Sequence, residues 1–399
     1  MKNQKIQLLI ALVAFCVLNL SAQDQASNKY IRPETPAAFP YLPNNIINEA
    51  RIPLYLPEID GYTLLKCDLH MHTVFSDGNV WPVTRVEEAF REGLDAIAIT
   101  DHLEYRGINK KDLNTTDNLL REYEIAEKKA NELGILFIPG LEVTRKVPTG
   151  HYNMLFIKDP SSLIKFVNKE NPGDPSNIEE ILTAGKNMGA FIFWNHPAYQ
   201  APNGAEWNPI QQSLYEKGLI MGIEIINSNM YVPIVQQWAD EKGLTKLANS
   251  DWHYSFRIRD GYHRAMTIVF AKDRSIDAVK EALIQRRTVG YAYNHLYGEQ
   301  KFLEPIFQNS LKTRVLDRSD KDITVEIRNT SGMPYELKLE ENAQFVPDKI
   351  NTEITLYPNE TIAIKMNRKA DGGKSEINVA VKNLHVEAEK ILHSVLRFK

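Results

Sequence analysis

Cysteine is nearly absent from the chain: 399 residues contain 2, Cys16 and Cys67. Cys16 lies in the N-terminal apolar run, so Cys67 stands alone and a disulfide framework is excluded. Cys67 falls in Leu64-Leu65-Lys66-Cys67-Asp68-Leu69 and reads as a small buried hydrophobe on a strand. An excess of positive charge is also missing. The chain carries 47 basic and 51 acidic residues, a formal charge of −4, without a basic block. That leaves no strong case for nucleic acid held by electrostatics. No glycine-rich phosphate loop follows the first apolar run, where Asp68-Leu69-His70-Met71-His72-Thr73 stands, which argues against a dinucleotide fold. Long apolar runs are confined to Leu8 to Leu20. Lys2 and Lys5 precede that run, and Ser21-Ala22-Gln23 follows it. This pattern predicts a signal peptide over 1–22, cleaved near Ala22, and hence export to the periplasm or beyond. The run is too short for a membrane span, so no transmembrane segment is expected in the mature chain. Removing Lys2 and Lys5 leaves 45 basic residues against 51 acidic ones, a charge of −6.

What is present is an ordinary globular composition, 43% apolar and 25% charged. Residues 23–61 are proline-rich (Pro33, Pro36, Pro40, Pro43, Pro53, Pro57) and read as an extended arm. Across 62–309, β-rich apolar runs alternate with helical patterns. The runs include Leu64–Leu69, Ala96–Thr100, Ile135–Leu141, Ala190–Trp194, Gly222–Ile226 and Thr245–Ala248. Such alternation predicts βα units, a parallel sheet and, at this repeat number, a closed α/β barrel. Across 310–399 the period changes to two, as in Ile323/Val325/Ile327 and Ile377/Val379/Val381, with turns such as Asp371-Gly372-Gly373 between runs. This predicts a small antiparallel, sandwich-like β-domain. It has no cluster of ligand-type residues, and its partner is not legible.

Histidine is scarce, with 10 in the chain, but its placement is informative. His70 and His72 follow the first run, His102 the second and Glu142 the third. His196 follows Ala190–Trp194, while Asp251 and His253 follow Thr245–Ala248. Barrel strand ends share one face, so five of them converge metal-type ligands there. His-x-His and Asp-x-His leaving a strand place both side chains on one side. Imidazole and carboxylate together suit zinc, manganese or iron, and a Glu among histidines can bridge two cations.

His70-Met71-His72-Thr73 with Ser76-Asp77-Gly78, Thr100-Asp101-His102, Gly140-Leu141-Glu142, Gly150-His151, Asn195-His196-Pro197 and Ser250-Asp251-Trp252-His253 together resemble the motifs of the PHP (polymerase and histidinol phosphatase) family. The resemblance spans about residues 64 to 295 and fills nine ligand positions in family order. It implies a distorted (β/α)7 barrel with two to three divalent transition-metal ions (Zn, Mn or Fe). His70, His72, Glu142 and Asp251 would hold the first. Glu142 would bridge to a second, completed by His151 and His196. Asp77, His102 and His253 would hold a third. The family further implies phosphoester hydrolysis, in which a metal-bridging hydroxide attacks phosphorus. Glu142, Asp251, His196 and His253 are the residues expected to carry the catalytic step.

The exported two-domain layout resembles secreted bacterial PHP phosphodiesterases, so a small-molecule phosphodiester substrate is expected. The alternatives are a phosphomonoesterase of histidinol-phosphatase or sugar-phosphate type, a non-catalytic metal-binding PHP-like protein, and an amidohydrolase-like barrel. Arg106, Arg145, Lys146, Arg257, Arg259 and Arg264 lie near the motifs. Arg145 and Arg264 are the expected substrate-binding residues, because arginine pairs bidentately with phosphate. Trp81, Tyr105, Tyr199 and Trp252 are candidates for an apolar leaving-group pocket.

Overall fold

A computed structural model describes residues 51–106, 119–168, 170–201, 204–256, 262–341, 345–347, 352–368 and 376–398. The expected signal peptide, most of the arm, Arg257 and Arg259 lie outside the described residues. β1 (Thr63–Asp68), β2 (Ala96–Ile99) and β3 (Leu136–Thr144) pair in parallel. Helix Pro82–Glu92 connects the first two. Proline opens it, where its missing N–H costs nothing, and Gly93 in the left-handed region (φ 72°) ends it. Val86 and Ala89 bury its inner face. Helix Arg121–Leu133 precedes β3 and buries Tyr123, Ala126 and Ala130.

A fully parallel sheet does not follow. The link from β3 to β4 (His151–Leu155) is only 145–150, too short for a crossover, so β4 turns back antiparallel. It then pairs antiparallel with β5 (Phe191–Asn195). β5, β6 (Gly222–Asn227) and β8 (Thr245–Asn249) run parallel, with the short β7 (Met230–Tyr231) on the edge of β6. β9 (Met266–Ala271) runs antiparallel to β1, and β10 (Thr288–Ala292) antiparallel to β9. Between β8 and the β9–β10 pair, threonine side chains bridge the seam instead of a backbone ladder. Thr267 Oγ1 accepts from Ala248 N at 3.0 Å and donates to Ala248 O at 2.9 Å; Thr288 Oγ1 donates to Lys246 O at 2.8 Å. The barrel is thus distorted at an identifiable place.

β11 (His295–Gly298) and helix Gln300–Ser310 lead to the C-terminal domain. There β12 (Leu311–Arg318), β13 (Asp322–Asn329), β14 (Tyr335–Glu340), β15 (Phe345–Pro347), β16 (Glu353–Leu356), β17 (Thr361–Arg368), β18 (Glu376–Glu387) and β19 (Lys390–Arg397) form two layers. One is β12-β13-β17-β15; the other holds β16-β14-β18 with β19. The second layer continues into the barrel sheet through parallel pairing of β11 with β18. One apolar core runs through both parts, from Ile97 and Phe270 to Phe307, Val325 and Tyr335. Among the described residues, no helix is long and apolar enough to cross a membrane.

His295 and His385 meet at this junction, Nδ1 to Nε2 at 2.9 Å, and Tyr297 stacks on His385 at 4.5 Å. Burial, and next His295, push the His385 pKa down to about 4. A histidine whose folded pKa lies below its unfolded value of about 6.5 leaves stability untouched above that pH. Between about 6.5 and 4 the unfolded chain takes up a proton that the folded chain refuses, so stability falls. His385→Gln is therefore expected to flatten the fall of the urea midpoint between pH 6.5 and 4. A fall equal to wild type refutes this assignment.

Candidate metal centre

The ends of β1, β2, β3, β5 and β8 deliver the expected residues to one face. Backbone contacts lock two of the ligand loops together: Asp251 N donates to His70 O at 2.8 Å and His72 N to Trp252 O at 3.1 Å. His102 and Glu142 face one another in an isolated parallel bridge. His151 differs, since it begins β4, opposite Asn195 of β5. His196 (φ 28°) and Asp251 (φ 51°) adopt left-handed backbone. Strain of this kind persists where surrounding structure over-determines it, which is common at functional sites.

Among the described residues, three groups of His, Asp and Glu could hold a metal, and they contain all nine predicted ligands. In the first, His70 Nε2 and His72 Nε2 are 3.1 Å apart. Each lies 2.8–3.2 Å from Glu142 Oε2 and 3.1–3.2 Å from Asp251 Oδ1. That is the spacing of four donors around one ion with bonds of about 2 Å. In the second, Glu142 turns its other oxygen, Oε1, to His151 Nδ1 at 2.6 Å and His196 Nε2 at 3.9 Å. In the third, Asp77 lies 3.3 Å from His102 Nε2 and 3.2 Å from His253 Nε2. His72 joins this group as well, its Nδ1 3.8 Å from Asp77.

Two observations test the fit to metal. His72 Nδ1, Glu142 Oε1, His151 Nδ1 and Asp251 Oδ1 are buried without a hydrogen-bond partner, although buried polar atoms are normally satisfied. The carboxylates also stay ionised. Burial would raise the Glu142 pKa, but His102, His70 and His151 hold it well below the usual range. At Asp251 burial likewise raises the pKa, but His70, then His72 and His196, outweigh it and hold the carboxyl well below the usual range. At His196 burial dominates, and the imidazole pKa falls to about 4, leaving it neutral. The ionised carboxylates supply the anionic donors a divalent cation requires; at His70 and His72, where burial lowers the pKa but Asp251 and Glu142 raise it above the usual value, a bound cation would have to displace the proton.

The surrounding groups fix these side chains. Glu224 of β6 accepts from His70 Nδ1 at 2.9 Å and, through its other oxygen, from the His196 backbone N–H at 2.9 Å. A carboxylate on the far ring nitrogen sets tautomer and orientation. Thr144 Oγ1 sits 2.6 Å from His102 Nδ1, and the Asp251 carbonyl 2.9 Å from His253 Nδ1. Asp101 binds Thr73 N and Ser76 Oγ, shaping the loop between His72 and Asp77. Glu224 was not legible as a site residue. Its only signal is a carboxylate inside the apolar run Ile223-Glu224-Ile225.

The arginines divide differently from expectation. Arg145 lines the cavity of about 270 Å³ over the metal-type ligands, but its guanidinium pairs with Glu104 and donates to Asn177 Oδ1. Arg264 is 3% exposed and tied to Asp68 and Glu92. The expectation that Arg264 grips phosphate is corrected: buried carboxylates claim it. Arg106 pairs with Glu122. Tyr105 and Tyr199 line the metal cavity, Trp252 lines a separate one, and Trp81 is half exposed against Phe75. Cys67 is fully buried on β1, as expected.

The PHP domain matches residues 68–219 and an Ig-like domain matches residues 310–397. A solved two-domain protein of Bacteroides vulgatus, described as containing a predicted PHP-like metal-dependent phosphoesterase, is 35% identical to this chain. The match covers 88% of this chain and 99% of that one, with a TM-score of 0.80. The chain belongs to the PHP family. An uncharacterised protein of Methanocaldococcus jannaschii is 30% identical over 191 residues, 47% of this chain and 82% of its own length. A 5'-3' exoribonuclease of Haemophilus influenzae is 33% identical over 79 residues, and this chain spans 23% of its length. Membership in PHP accounts for the clustered His, Asp and Glu residues on the barrel face, and the Ig-like match accounts for the two β layers that follow.

Proposed function

We propose that the protein is an exported metal-dependent phosphodiesterase acting on a small-molecule phosphodiester. The observation that carries the reading is Glu142, a buried carboxylate whose two oxygens address two separate groups of ligands. Divalent cations held there, zinc, manganese or iron, would supply a bridging hydroxide as nucleophile and neutralise the phosphoryl oxygens. The protein's own part is positional. Glu224 orients His70 and the His196 backbone, and the crossed contacts of the His70 and Asp251 loops hold both ligand pairs in register.

The preference for a diester rests on charge. A monoester dianion calls for fixed cations beyond the metals. Among the described residues lining the cavity, the permanent cations are Arg145 and Lys146, and Glu104 already pairs with Arg145. The N-terminal run Leu8 to Leu20, with Lys2 and Lys5 before it, supports export.

The test is a metal determination and two substrates. Protein purified without chelator is expected to carry two to three transition-metal ions per chain. At equal loading, kcat/KM should be higher on bis(p-nitrophenyl) phosphate than on p-nitrophenyl phosphate. Less than one ion, with no activity restored by zinc, manganese or iron, overturns the site assignment. A clear monoester preference replaces the diesterase reading with a phosphomonoesterase.

A further inference from the structure

A second cavity, of about 250 Å³, opens beside the metal cavity and shares with it the wall made by His151, His196 and Tyr199. Its other walls are mainly apolar: Val147, Pro148, Trp194, Pro197 and Ala201. We infer that this cavity is a subsite for one planar, apolar ester group of the substrate, and that Tyr199 determines the preference for it. The inference rests on the phosphoesterase reading and goes beyond it by naming the class of group bound.

Three features support it. The back wall is flat and fixed. Trp194 is 3% exposed, stacks on Trp238 at 6.1 Å with an interplanar angle of 5°, and meets Trp207 edge-on at 5.9 Å. Gly150 packs so closely that a Cβ there would lie 2.9 Å from Trp194 Nε1. A wall held this way does not rearrange on binding, so little ordering cost falls on the ligand. Tyr199, by contrast, is 49% exposed and stands where the two cavities meet. Its ring lies edge-on at 5.0 Å from His196 and 6.0 Å from His151. A group attached to phosphorus in the metal cavity therefore passes this ring on entering the second cavity, and a ring there gains aromatic contact.

Size and charge then select the group. A volume of about 250 Å³ falls below the range of cavities that hold drug-sized ligands, so a ring-sized substituent fits and a polymer does not. Among the described residues, two charged side chains line the same cavity: Arg145 is already paired with Glu104, and Glu206 repels an anion, so a second phosphate is disfavoured. The occupant is thus uncharged.

The test uses the metal-loaded full chain and two diesters that share p-nitrophenol as leaving group, one with phenyl and one with methyl as the retained group. Intrinsic reactivity differs between them but cancels when variants are compared with wild type. Tyr199→Ala is expected to reduce the phenyl-over-methyl ratio of kcat/KM by about fivefold, in line with one aromatic contact of about 1 kcal/mol. Tyr199→Phe, which keeps the ring, should preserve the ratio within twofold. Calorimetric binding of diphenyl and dimethyl phosphate supplies a readout independent of turnover, and the same Tyr199→Ala collapse is expected there. Equal losses on both esters in Tyr199→Ala, or equal binding of the two phosphates by wild type, overturn the subsite. Absence of turnover on both esters overturns the phosphoesterase reading instead, and the binding ratio still decides the subsite.

Discussion

Glu142→Gln is expected to lower kcat/KM by about a thousandfold, a loss comparable to removing a central electrostatic group from an active site. The substitution keeps size and shape but replaces two anionic oxygens by one neutral oxygen and an NH2 group. Glu142 Oε2 stands 2.8 Å from His70 Nε2 in the first group, and Oε1 stands 2.6 Å from His151 Nδ1 in the second. An amide cannot present charge to both, and its N–H hydrogens would point at whichever cation it faces. At least one equivalent of metal should therefore be lost along with activity. The fold should persist, because Glu142 lies at the mouth of the barrel, outside the apolar clusters that hold β3 in place. Circular dichroism, metal determination and kinetics on the same preparation separate these effects. Asp77→Ala offers the contrast. It removes a carboxylate from the third group alone, so the third ion should be lost with a much smaller fall in rate. Wild-type activity and metal content in Glu142→Gln would refute the bridging role.

The ligand positions were legible because chemistry and topology coincide in the sequence. A barrel strand must end before its loop, and a histidine or carboxylate placed just after an apolar run lands on the ligand face. Glu142 follows its apolar run while still inside β3, which continues to Thr144; His70, His72, His102, His196, Asp251 and His253 obey that geometry. His151 does not, since it opens β4, and it was found through the family motif. The direction of β4 was not legible either. Its apolar run looks like any other strand, and only the length of the 145–150 link decides that it returns antiparallel. Glu224 escaped notice because a fully buried strand carries no period on which to place a polar residue. Apart from Asn227 on the same strand, its partners come from elsewhere in the chain: His196 and Asn249 from the ends of the strands paired on either side of β6, and His70 from the end of β1, which does not pair with β6.

Arg264 failed as a predicted phosphate ligand for a related reason. It precedes β9, which runs antiparallel to β1, so it arrives beside Asp68 at the end of β1 and beside Glu92 on helix Pro82–Glu92. Neither acid is near it in sequence. Burial alone would depress the Arg264 pKa, but Glu92 and Asp68 outweigh it and hold the guanidinium firmly charged. Phe256 lies under the same group, with Arg264 Cζ 4.4 Å from its ring centroid. Arg264→Met is accordingly expected to lower unfolding stability by about 3–5 kcal/mol, the cost of leaving buried carboxylates without their cation. Lysine should not rescue, since one ammonium cannot reproduce the forked contacts to Asp68 and Glu92. Asp68 also accepts from Ser250 N at 3.1 Å and from Ser250 Oγ at 2.5 Å, one residue before Asp251. A weaker hold on metal should therefore accompany the loss of stability, whereas KM for substrate at full metal loading should stay near wild type. Denaturant titration and Michaelis–Menten kinetics on the metal-saturated variant decide the matter. A large rise in KM with stability unchanged would return Arg264 to the substrate, and it would require the guanidinium to leave the two buried acids, Asp68 and Glu92, that it bridges in the fold.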